Sequence, residues 1–366
     1  MFPLKDTQPS YSRPLVTIAL IVANILIFLF EFALPDYSRH YLSRNVLIQL
    51  YGLVPDHFRV TTLLTSMFLH GSWNAMKVLM ATDGSKHAAR ALTTACRILS
   101  PQDREIDLLC VAPSLGPKHH LHQAKLCRRA KRILEAARAA LSAEGVSAKP
   151  IVEAGTPARV LVAASLNYDV TVVGAQSHKN RSPVGLGPVT SRVAEHANSN
   201  VLIGRDLHND EGLKILAPVD GSEGSVQALD TMAALVDLSA ADVTLVHVVE
   251  TPWLHVGPDQ EWIGYEEEKE EEIDAQAQFE REFEAEGDDI LESARARLPV
   301  RTTVNTLIYR GVPADEILGE AETGDYDLVV IGASGAADLK HQILGSVSSK
   351  VAWNAPCSVL LVRGKG

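Results

Sequence analysis

The strongest constraint on this chain is that it says nearly the same thing twice. MKVLMATDGSKHAARAL, Met76 to Leu92, is mirrored by LKILAPVDGSEGSVQAL, Leu213 to Leu229. Glu153 to Ser177 is mirrored in the same way by Tyr309 to Gly335, with Gly155-Thr156-Pro157 answering Gly311-Val312-Pro313. A repeat of this length means tandem domains, not a solenoid. Each copy alternates short runs of branched apolar residues with helical patterns, β-α-β-α-β-α-β-α-β. Such runs are strands buried on both faces, which implies a parallel sheet with helices on either side. The predicted fold class is α/β.

The most specific stretch is the end of the second copy. Leu328 to Ile331 is a strand-like run that ends in Gly332-Ala333-Ser334-Gly335. Nine residues follow, then Gly345 and Ser346 open a helical segment, Val347 to Trp353. Pro356 breaks it before a last strand, Ser358 to Val362. Glycine turns at the carboxyl end of a strand, leading into a helix N-terminus, suit a phosphate. Glycine lets the backbone come close, and the first-turn N–H groups meet the negative charge.

The spacing G-x2-G-x9-G-S, with a strand on each side, resembles the ATP-binding pattern of the universal stress protein family. The resemblance implies two Rossmann-like or flavodoxin-like domains with five-stranded parallel sheets, residues 76–206 and 212–363. It also implies a site at the carboxyl edge of the second sheet. Pro218, Val219 and Asp220 would lie against adenine and ribose, and His247 and Val248 near the base. Ile331, Gly332, Ala333, Gly335, Gly345, Ser346 and Val347 would hold the phosphates. The expected ligand is ATP, with Mg²⁺ held by phosphates and water if present. A competing reading makes Asp220 the N-cap of the helix from Gly224 to Leu235.

The first copy keeps Asp83 but alters the phosphate pattern. Ser177 stands where the second glycine is expected, and Gly187 is followed by Pro188. Proline has neither hydroxyl nor N–H, though it suits a helix start. The first copy is therefore expected to hold no nucleotide. A P-loop string is missing, so no catalytic residue is assigned. The reading is a nucleotide-dependent stress sensor; a slow ATPase and a nucleotide-independent interaction module are the alternatives. The last strands, Asn200 to Gly204 and Ser358 to Val362, are expected to pair within the chain or in a homodimer, since an open apolar edge is a liability.

Carboxylates outnumber Lys and Arg by 45 to 34, which argues against a nucleic-acid partner. Much of the excess lies in an acidic helical insertion, about 261–292, between the second and third strands of the second copy. Lys125, Arg128, Arg129 and Arg132 share one face of the equivalent helix in the first copy, and the two could attract each other. The four cysteines show no CxxC spacing and read as reduced thiols. His119, His120, His122 and Cys127 fit no zinc pattern.

Residues 1–75 are different in kind. Leu15 to Leu34 carries one charge, Glu31, and is long enough as a helix to cross a bilayer. The segment from Gly52 to Trp73, ending in FLHGSW, resembles the start of the rhomboid protease family; the later catalytic spans of that family are missing. The expectation is a single-pass anchor at residues 15–34 in the cytoplasmic membrane, touching lipid. Residues 58–69 would form an interfacial segment. Basic residues after the span favour both stress-protein domains on the cytoplasmic side.

Overall fold

The computed structural model describes residues 75–100, 104–114, 120–175, 185–207, 212–238, 240–250, 285–333 and 344–363. The expected anchor and the rhomboid-like segment lie outside these residues. So do Gly335, Ser177 and most of the acidic insertion. Among the described residues, no helix is long and apolar enough to cross a membrane.

The first copy runs β1 (Met76–Ala81), α1 (Lys86–Ile98), β2 (Arg104–Pro113), α2 (His120–Ala143), β3 (Lys149–Gly155), α3 (Pro157–Ser165), β4 (Val170–Gly174), α4 (Pro188–His196) and β5 (Asn200–Gly204). The second repeats it: β6 (Leu213–Pro218), α5 (Glu223–Leu235), β7 (Ala241–Val249), α6 (helical over 285–295), β8 (Thr303–Arg310), α7 (Pro313–Thr323), β9 (Leu328–Gly332), α8 (Ser346–Asn354) and β10 (Ser358–Val362). Two helices begin one residue earlier than the sequence pattern suggests, at Glu223 and Ser346.

Two five-stranded sheets were expected; the structure has one sheet of ten strands, ordered β3-β2-β1-β4-β5-β10-β9-β6-β7-β8. Each half has the order 3-2-1-4-5, the Rossmann arrangement and not the flavodoxin one. Pairing is parallel within each half. At the seam β5 and β10 run antiparallel, with Leu202 opposite Leu360 and Ile203 opposite Val359. Both strands are almost wholly buried, and this pairing removes what would be two exposed apolar edges.

Strand residues alternate between two cores. Val78, Met80, Ile215 and Val243 pack under α1, α2, α5 and α6. Leu79, Val173, Leu216 and Val329 pack under α3, α4, α7 and α8. Each core runs across both halves. The ends of α1 and α5 also meet at the seam, where Ser100 N–H donates to the Leu235 carbonyl at 2.8 Å and Asp237 N–H to that of Ile98 at 3.1 Å.

The suggested attraction between the basic helix and the acidic insertion falls mostly outside the described residues; its described end, 285–292 in α6, lies far from α2. α2 packs on β2 and β3, at one end of the sheet. Helix α6 belongs to the other end, where Ile290 and Leu291 join the core beside Val243 and Ile308. Seven strand spacings of about 4.8 Å separate β2 from β7, well beyond the screening length of about 8 Å in physiological salt.

Candidate nucleotide site

The carboxyl ends of β6, β7 and β9 surround a cavity of about 490 Å³. Its position follows from strand order. β6 and β9 are neighbours, yet their following helices pack on opposite faces of the sheet, which leaves a crevice between them. Pro218, Val219 and Asp220 form one wall, His247 and Val248 a second. Ile331 and Gly332 form the floor, and Gly345, Ser346 and Val347 close the far side.

Ala333, assigned to the phosphates from the sequence, instead turns inward and does not line the cavity. Its carbonyl accepts the Gly345 N–H at 2.8 Å and the Ser348 hydroxyl at 2.9 Å. It therefore pins the start of α8 beside the strand end. Gly345 is the N-cap residue, with extended backbone and no side-chain cap. The first-turn N–H groups of α8 have no partners within the helix and open on the cavity.

Asp220 does not cap α5. The cap is Ser222, whose hydroxyl accepts the Ser225 N–H at 3.2 Å. Asp220 Oδ1 accepts from the Ser222 amide at 3.0 Å and the Ser222 hydroxyl at 2.6 Å. Burial pushes this carboxyl up, but donors from Ser222 and Ser225 outweigh it and hold Asp220 below its ordinary value. It is therefore an anion at neutral pH, oriented at the cavity mouth. Asp83 and Ser85 make the same turn in the first copy, the Ser85 N–H donating to Asp83 at 2.9 Å.

His247 is fixed by its Nδ1, which lies 2.8 Å from the Val219 carbonyl oxygen. A carbonyl only accepts, so Nδ1 carries the proton. Helix α6 packs directly over the ring: a Cβ on Gly287 would sit 3.0 Å from the imidazole Cδ2. The same helix contributes Ile290 and Glu286 to the cavity wall. Pro313 and Ile317 of α7 add apolar surface, and Glu250 extends β7 at the rim.

These α6 and α7 residues were missed in the sequence, although the repeat held a signal. Strand register makes Cys110 the counterpart of His247. Ile133 and Ile290 sit equivalently, each filling the space beside a left-handed glycine, Gly84 or Gly221. One helical turn earlier, Ala130 of the first copy answers Gly287. The larger imidazole in β7 is thus matched by a lost methyl in α6. Arg129 likewise answers Glu286. In the first copy Cys110 is buried, and burial pushes its thiol up to about 11, so it is an inert core residue. Helix α4 has Gly187 as its N-cap and Pro188 in its first turn, one N–H fewer than α8.

The described lining holds three carboxylates, Asp220, Glu250 and Glu286, and no Lys or Arg. All four cysteines are free. Among the described residues no cluster of His, Cys, Asp or Glu could hold a metal directly.

A sequence profile of the universal stress protein family matches residues 74–205 and again 213–363. The chain belongs to that family. A universal stress protein of Mycolicibacterium smegmatis is 28% identical over 302 residues, covering 78% of this chain and 96% of that one. The Bacillus subtilis universal stress protein YxiE is 34% identical over 151 residues, 41% of this chain and 98% of its own length. Among solved structures, a universal stress protein from Archaeoglobus fulgidus shares the fold with a TM-score of 0.55 at 20% identity, covering 80% of this chain and 99% of that one.

Proposed function

We propose that this universal stress protein binds one ATP per chain, in the second half, and acts as a nucleotide-dependent regulator. The observation that carries the reading is the start of α8. Its N-terminus has no side-chain cap and opens on a cavity of about 490 Å³ with largely apolar walls, a size typical of small-molecule sites. The triphosphate would meet the α8 amides and Ser346, while adenine lies among Val248, Ile290 and Ile317. Three carboxylates in the described lining repel free ATP, so the complex with Mg²⁺, held by phosphate oxygens and water, fits better than the bare anion. No residue is assigned to phosphoryl transfer, and the role is binding.

Calorimetric titration with Mg–ATP should give one site per chain. Gly345→Val should weaken it about 10- to 100-fold, because overpacking a close contact costs about 1–3 kcal/mol. Gly345 has ordinary extended φ and ψ, so the fold should tolerate the change. Two equivalent sites, or unchanged affinity in the variant, would refute this reading. Nucleotide turnover lost in the same variant would convert the binder into a slow ATPase.

The reading extends to a tether. Residues 15–34 would anchor the chain in the cytoplasmic membrane, with both halves on the side where nucleotide is available. Deleting residues 1–75 should release a soluble, nucleotide-binding protein. Finding the full-length chain wholly in the soluble fraction would rule the anchor out.

A further inference from the structure

The two halves exchange an arginine across the seam. Arg205 directly follows β5, and Arg363 directly follows β10, so the two are counterparts. Arg205 reaches into the second half. Its Nη1 donates to the Cys357 carbonyl at 3.0 Å and its Nη2 to that of Ala352, also at 3.0 Å. Its backbone N–H donates to the Ser358 hydroxyl at 3.0 Å. Arg363 reaches the other way, its Nη2 donating to the Ala194 carbonyl near the end of α4.

Ala352 lies in the last turn of α8, whose terminal carbonyls have no partners within the helix. The Ala355 N–H takes the Val351 carbonyl at 2.9 Å, and Arg205 takes the next one. A half-buried cation at a helix C-terminus also complements the helix dipole. Burial lowers the Arg205 pKa to about 10, which leaves the guanidinium charged at neutral pH. Helix α8 is nine residues long and is held at both ends. The Ala333 carbonyl fixes its N-terminus, and an arginine from the first half fixes its C-terminus.

We infer that Arg205 is a positioning residue for the nucleotide site. Through it, the first half sets where the α8 amides stand. This rests on the ATP reading above. It gives the altered first half a task that needs no ligand of its own. The reciprocal arginine provides an internal control: Arg363 holds α4, which starts with Pro188, its guanidinium donating to Ala194 of α4 and not to the end of α8.

The test is Mg–ATP titration of the full-length chain beside its Arg205→Met and Arg363→Met variants, with thermal melts of each. Both variants should melt lower, since each leaves buried carbonyls unpaired. Only Arg205→Met should lose affinity, by about 5-fold or more, the lower end of ordinary intersite coupling. Reciprocity then requires that ATP raise its melting temperature less than that of the wild type. Arg205→Lys, which keeps the charge and one donor direction, should recover part of the affinity. Equal affinities in the two methionine variants would overturn the inference. If Arg205→Met does not fold, the lysine variants at 205 and 363 carry the same comparison. A wild-type chain that binds no nucleotide would instead refute the ATP reading itself.

Discussion

Replacing Gly332 by valine should destabilise the second half by about 3 kcal/mol or more, the upper range for overpacking a filled site. A Cβ at this position would lie 2.7 Å from the carbonyl oxygen of Gly224 and 2.9 Å from its carbon. Those atoms belong to the backbone of the first turn of α5, and no rotamer change can move them away. Relief would require α5 to lift off the sheet, and α5 carries Leu229 and Met232 into the core. Gly319 supplies the contrast. It lies within α7, and a Cβ there would meet nothing within 4 Å, so Gly319→Ala should be neutral or stabilising by about 0.5–1 kcal/mol. Denaturant midpoints of the two variants decide the matter. Wild-type stability in Gly332→Val would show that the helix is free to shift and that the packing account is wrong.

The pattern of glycines pointed to the sheet edge where the cavity lies, but it assigned Gly332 only to phosphate approach. The structure adds a helix-packing demand, repeated in the first half, where a Cβ on Gly174 would lie 3.1 Å from the His87 carbonyl oxygen. A glycine needed for packing and one needed for a ligand look identical in a single sequence. Strands were legible because doubly buried parallel strands leave continuous apolar runs such as Leu328 to Ile331. The duplication exposed the architecture, and the apolar last strands pointed to the seam.

What the sequence hid were relations between distant elements. Asp220 suited a ligand but could equally be read as a cap, because it precedes a helix. Only the turn geometry shows that Ser222 takes that role while Asp220 faces the cavity mouth. Glu286 and Ile290 sit within an acidic stretch that reads as solvated surface. They reach the site because α6 crosses above His247, a matter of tertiary packing. The described end of the acidic insertion lies far from α2 for a topological reason. Joining the halves through β5 and β10 sends their other edges to opposite ends of the sheet.

Leu360→Asp should be still more damaging, because the seam has nowhere to put a charge. Leu360 is 0% exposed and stands opposite Leu202, which is also 0% exposed. Both side chains belong to the core that runs beneath α1 and α5. An aspartate there must either desolvate its carboxylate without a partner or take up a proton, and either route costs several kcal/mol. The total stability of a domain is only about 5–15 kcal/mol, so the substitution removes a large part of it. The damage should also reach beyond the second half. Two cores shared across the seam, an exchanged pair of arginines and the α1–α5 junction tie the halves into one cooperative unit. The wild type is therefore expected to unfold in a single transition with coincident fluorescence and circular-dichroism curves. In Leu360→Asp the transition should move to lower denaturant and divide in two as the halves uncouple. Val300→Asp, at a fully exposed position, should change neither the midpoint nor the shape. A Leu360→Asp chain that still unfolds in one transition at the wild-type midpoint would mean that the antiparallel seam contributes little. Each half would then be stable by its own five strands, and Arg205 would have no rigid platform from which to hold α8.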